Sequence, residues 1–222
     1  MWVILYLFEH TGGLLGGRFY ILGGIPSSSK TALINNVADN ICLGNQPVLF
    51  FSFDDGREEI RHRTFARFGS HDIETYNIRT LKMKDIEVIS NLPALTQIKS
   101  CKYVVEQNIP VDNWKYYIDQ IIAKTGKSPV ILIDYLRKLQ ANKKTSDERL
   151  RVDMLTYKLV EIAKGYNTPV VVISELQRDS YRAGQRLSMA SFKGSGSLEY
   201  EASWLGILAA VEEKDGEFII IQ

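Results

Sequence analysis

The sequence predicts an α/β fold: a mostly parallel central sheet with helices on both faces, closed at its C-terminal end by an antiparallel hairpin. Two observations carry this. Short apolar, β-branched runs alternate with longer amphipathic stretches, the pattern of successive βαβ units. The 222 residues, 45% of them hydrophobic, are enough to bury one substantial core, so a single domain over residues 1–222 is expected.

The chain opens with an apolar arm, residues 1–10, built around Trp2-Val3-Ile4-Leu5-Tyr6-Leu7-Phe8. The run is too short to span a bilayer and lacks the cationic leader of a signal peptide. It reads either as a core strand or as a surface that covers a neighbour or another subunit. Strands are then expected at Phe19–Leu22, Pro47–Phe53, Tyr103–Val105, Val130–Asp134, Pro169–Ser174, Trp204–Ala210 and Glu217–Ile221. Asp215-Gly216, between the last two, is a hairpin-turn signature. Apolar spacing of 3.6 residues predicts helices at Lys30–Cys42, Arg57–Phe68, Val111–Thr125 and Ser146–Lys164. Ser146-Asp147-Glu148 suits the capped, acidic start of the last helix. The stretch 177–196, with Arg178, Arg182, Arg186 and Lys193 among Ser and Gly, is the longest candidate functional loop.

The charge balance sets limits on partners. Lys and Arg number 27 against 26 Asp and Glu, so any nucleic-acid contact must come from a local patch. Cys42 and Cys101 show no metal-ligand spacing. A reduced, cytoplasmic protein with no membrane partner is expected.

Gly24-Ile25-Pro26-Ser27-Ser28-Ser29-Lys30-Thr31 follows an apolar strand and opens a helix, the context a G-x-x-x-x-G-K-[ST] phosphate loop requires. Only the penultimate glycine departs, replaced by Ser29. In such a loop the backbone N–H groups and the helix N-terminus wrap the phosphates, a role assigned to Gly24, Ser27, Ser28 and Ser29. Lys30 neutralises the outer phosphates and the Thr31 hydroxyl binds Mg²⁺. Pro129-Val130-Ile131-Leu132-Ile133-Asp134 is a buried strand ending in a carboxylate, placed where parallel sheets gather ligand-binding groups. Asp134 is the expected second support of the metal.

On these residues the chain resembles the ATPase domain of the DnaB-like replicative DNA helicases, in the RecA-like P-loop superfamily, over nearly its whole length. Thr11-Gly12-Gly13-Leu14 precedes the phosphate loop as in that family, and Pro47 to Asp54 resembles the strand ending in the water-activating carboxylate. Ile133-Asp134-Tyr135-Leu136 is similar to the magnesium-site strand. Pro169 to Leu176 resembles the strand that carries a γ-phosphate-sensing glutamine, and Phe192 to Glu199 looks like the loop that grips single-stranded DNA. The resemblance implies a RecA-like three-layer fold and a hexameric motor that binds ATP or another NTP with Mg²⁺ and moves on single-stranded DNA among replication proteins. It assigns catalysis to Lys30, Asp54 and Glu175, nucleotide contact to Arg63, and DNA contact to Lys193, Gly194, Ser195 and Gly196. It leads one to expect that the family's N-terminal domain is absent here.

Several positions depart from the family pattern. Asp54 is one methylene shorter than the family's glutamate, so either hydrolysis is slow or the adjacent Asp55 shares the role of base. Glu175 replaces the glutamine, which sets an acceptor-only carboxylate facing a phosphate of the same charge sign unless a cation intervenes. The trans-acting basic finger of the family falls beyond Gln222. Two functions therefore stand side by side: an ATP-driven DNA helicase motor, and a catalytically weakened RecA-like module that binds nucleotide without turning it over.

Overall fold

The computed structural model describes residues 12–26, 28–69, 83–143, 145–176, 191–192, 196–210 and 218–221. The strands are β1 (Phe19–Gly24), β2 (Val48–Ser52), β3 (Lys102–Val105), β4 (Val130–Asp134), β5 (Val170–Glu175), β6 (Trp204–Ala210) and β7 (Phe218–Ile221). They form one sheet in the order β3-β2-β4-β5-β1-β6-β7. Every neighbouring pair is parallel except β6 and β7, which run antiparallel with Ile207 opposite Ile221. The expected Asp215-Gly216 turn lies outside the described residues, as does the arm at 1–10.

Successive strand residues point to opposite faces of a sheet, and here both faces are apolar, as fully covered parallel strands require. Leu49, Phe51, Ile131 and Ile133 enter one core, while Val48, Phe50, Val130 and Leu132 enter the other. The first core is closed by α5 (Trp114–Thr125) and α6 (Glu148–Gly165). There the Trp114 indole stacks on the Phe51 ring, centroids 3.6 Å apart and planes 11° from parallel. The second core is closed by α1 (Lys30–Leu43), α2 (Arg57–Gly69), α3 (Met83–Ser90) and α4 (Pro93–Cys101). The result is a three-layer α/β sandwich, as the sequence predicts.

A polar knot sits inside the second layer. Lys102 Nζ on β3 donates to Asp39 Oδ1 at 2.5 Å, Asn35 Oδ1 at 2.8 Å and Thr64 Oγ1 at 2.8 Å. Asp39 and Asn35 are fully buried, so helix α1 is tied through one ammonium group to β3 and α2.

The structure amends several boundaries. Residues Val111–Thr125 divide into a 3₁₀ turn, Val111–Asn113, and α5. Helix α6 begins at Glu148 rather than Ser146, because Asp147 is its cap and accepts from the Arg149 and Leu150 amides. Helices α3 and α4 form where no element is expected from sequence. Gly196 begins a six-residue helix, α7 (Gly196–Glu201), instead of lying within a loop.

Candidate functional site

The C-terminal ends of β1, β5, β4 and β2 lie side by side, with Gly24 level with Glu175 and Ser52 level with Asp134. This edge is where open parallel sheets hold ligands. The loop leaving β1 folds back on itself. A Cβ added at Gly24 would stand 2.6 Å from Ser28 Oγ and 2.9 Å from the Leu208 carbonyl oxygen, so only glycine fits that approach. Ser29 has φ 62° and ψ 22°, the left-handed conformation that glycine adopts freely. Ser29 thus makes with a side chain a bend that glycine would make freely. Ser29 makes no side-chain cap bond to α1, which leaves the N–H groups and positive dipole end of that helix facing the loop.

Lys30 Nζ donates to the carbonyls of Gly24 at 3.1 Å and Ile25 at 2.6 Å and to Ser28 Oγ at 3.3 Å. Burial lowers its pKa, while the negative charges of Asp134 and Glu175 oppose that shift. From α1 the Thr31 hydroxyl donates to Asp134 Oδ2 at 2.6 Å. This bond joins the two halves of the site recognised separately in sequence. Asp134 is 3% exposed. Its pKa is raised by burial and by the charges of Asp54 and Asp55, against the lowering effects of the Thr31 hydrogen bond and Lys30.

After β2, Ser52 Oγ donates to the Asp55 carbonyl at 2.6 Å and the Phe53 amide donates to the Asp134 carbonyl at 2.9 Å. The chain is thereby turned over the site. Asp55 takes a salt bridge from Arg63 Nε at 2.7 Å. Asp54 instead faces Lys138 Nζ at 3.4 Å. Glu175, at the end of β5, lies 3.7 Å from Arg137 Nη1.

Sequence reasoning does not single out Arg137 and Lys138, although these two adjacent cations begin three residues after the end of β4. They come from the 3₁₀ turn Leu136–Lys138, pinned by fully buried Leu136. Ser27, Lys193, Gly194 and Ser195 lie outside the described residues. Among the described residues no group of three His, Cys, Asp or Glu has metal-holding geometry. A hydroxyl beside one carboxylate nevertheless fits Mg²⁺, which commonly takes one or two protein oxygens and completes its shell with water and phosphate.

Residues 4–217 match the family model of the DnaB-like helicase C-terminal domain. The chain belongs to that family. Among DnaB-like relatives, a probable replicative DNA helicase of Guillardia theta is 28% identical over 195 residues, covering 85% of this chain and 32% of the relative. The replicative DNA helicase DnaC of Bacillus subtilis is 26% identical over 212 residues, covering 93% of this chain and 46% of the relative. The chain therefore spans about a third to a half of the length of these curated relatives. A solved ATPase domain superposes with a TM-score of 0.84 at 21% identity, covering 98% of this chain and 84% of that one. A DnaB-like replicative helicase, solved in work on its interactions with primase, superposes with a TM-score of 0.83 at 21% identity, over 98% of this chain and 57% of that one. The fold expected from the DnaB-like resemblance is the fold found. No helix among the described residues is long and apolar enough to cross a membrane.

Proposed function

We propose that this chain is the NTP-hydrolysing motor domain of a DnaB-like replicative DNA helicase, acting as a hexamer on single-stranded DNA in the cytoplasm. The observation that carries the reading is the Thr31–Asp134 hydrogen bond, because it brings the phosphate loop and the metal-site strand into one site. Lys30 exchanges its carbonyl partners for the outer phosphates of ATP or another NTP, while the Gly24, Ser28 and Ser29 backbone and the start of α1 hold the rest. Thr31 and Asp134 hold Mg²⁺, which supplies neutralisation of phosphate charge. Asp54 orients the attacking water and takes its proton as the new P–O bond forms and the bond to the leaving diphosphate breaks. Arg63 reaches the base from α2. Lys193, Gly194, Ser195 and Gly196 offer one side-chain cation and backbone N–H groups to DNA phosphates, with no base-reading group among them. Primase and other replication proteins are the expected partners.

The test is the rate of NTP hydrolysis by the native full-length protein with and without single-stranded DNA, run beside a mass measurement of the assembly. Hydrolysis stimulated by DNA, and reduced by about 100-fold or more in Lys30→Ala, is the expected result. An intact oligomer that shows no Lys30-dependent, DNA-stimulated turnover refutes the motor reading.

A further inference from the structure

The carboxylate of Glu175 is the least expected group in the site. It stands level with Gly24 at the start of the phosphate loop, close enough for its charge to act on Lys30. With nucleotide held at Lys30 as proposed, a carboxylate beside that lysine lies on the same side of the loop as the outer phosphates. Two like charges a few ångströms apart in a partly buried site repel strongly enough to weaken binding by about ten-fold or more. The structure supplies a cation for it from within the same chain.

Arg137 reaches Glu175 from the turn after β4, with Nη1 3.7 Å from Oε2, and its Nε donates to Glu148 Oε1 at 3.3 Å. The turn is fixed from behind, since Arg151 donates to the Leu139 carbonyl at 2.8 Å and to the Arg137 carbonyl at 3.2 Å. Glu148 has a second cation of its own, a two-point contact from Arg151 at 2.8 Å on each oxygen. Arg137 can therefore leave Glu148 without stranding it. Both Arg137 and Glu175 are about a third exposed, so their pairing adds little to folding stability, and the guanidinium is free to exchange one anion for another. Its planar fork suits phosphate as well as carboxylate.

We infer that Arg137 is the site's own γ-phosphate cation: it compensates Glu175 before nucleotide binds and, giving up Glu148, bridges Glu175 and the terminal phosphate when a triphosphate arrives. The inference rests on nucleotide binding at the Lys30 loop. It assigns Arg137 a part in discriminating tri- from diphosphate, because only a terminal phosphate takes up the donors that Arg137 withdraws from Glu148.

The experiment measures binding of fluorescent ATP and ADP analogues, with Mg²⁺, to the native full-length protein and to Arg137→Gln, Glu175→Gln, the double variant and Lys30→Ala, with circular dichroism as the check on folding. Arg137→Gln is expected to weaken ATP-analogue binding about ten-fold and ADP-analogue binding far less. Glu175→Gln is expected to tighten the triphosphate, and the double variant to return it to within about two-fold of wild type. Equal losses for both nucleotides in Arg137→Gln, or a double variant as weak as Arg137→Gln, overturn the inference while leaving the Lys30 site intact. A wild-type protein with no Lys30-dependent binding overturns both the inference and the reading beneath it.

Discussion

Ser29 and Asp134 hold conformations and charge states that the fold would not choose on stability alone. Ser29 sits at φ 62°, where an L residue costs roughly 1–2 kcal/mol and glycine does not. Glycine loses more freedom on folding, so Ser29→Gly is expected to raise stability by a net of about 0.5–1 kcal/mol, read as a higher urea midpoint. Asp134 carries a pKa raised mainly by burial. The folded state therefore binds a proton more tightly than the unfolded chain, and ionisation costs stability as pH rises through and above the usual carboxylate range. Asp134→Asn is thus expected to raise Tm at pH 7 while abolishing hydrolysis, with the stability gain closing below pH ~4. An unchanged or lower Tm at neutral pH would count against this. That Lys30, Thr31 and Asp134 converge on one sheet edge is legible in sequence, because each has a fixed offset from a strand end. The place of Arg137 and Lys138 is not, since sequence spacing gives no sign of which cations a 3₁₀ turn folds back over its own strand.

Helices α1 and α2 and strand β3 meet at the Lys102 ammonium, whose partner Asp39 is fully buried. Lys102→Met leaves that carboxylate with Arg67, 3.6 Å from its other oxygen, and the Thr64 hydroxyl, 3.1 Å from Oδ1, and is expected to cost about 3 kcal/mol. Denaturant titration checks it, and a loss under about 1 kcal/mol would mean that water or Arg67 takes over. On the opposite layer, Trp114→Ala removes a fully buried indole from its stack on Phe51 and is expected to cost about 3–5 kcal/mol. The parallel strands were readable because alternate residues feed two apolar layers, which makes their apolar runs continuous. Helices α3 and α4 are short and lie in the stretch on either side of Pro93. Their apolar faces, such as Leu95, Ile98 and Cys101, complete too few turns to stand out as a period.

The whole chain is nearly neutral, with 27 basic against 26 acidic side chains, so attraction for a polyanion has to be local and short-ranged. Binding to single-stranded DNA is expected to weaken as salt rises, and Lys193→Ala to lower both affinity and the salt slope equally for all base sequences. A sequence-dependent effect would point to base reading instead. The ring of Phe192, which immediately precedes that lysine in the chain, lies on Gly23 so closely that a Cβ there would stand 2.4 Å from Cζ. Gly23 in turn is one residue from the start of the phosphate loop. Packed interiors transmit displacement rather than absorb it. A bulkier residue at 23 therefore cannot be seated without displacing the Phe192 ring, so the end of β1 and the residue before Lys193 have one shared packing constraint.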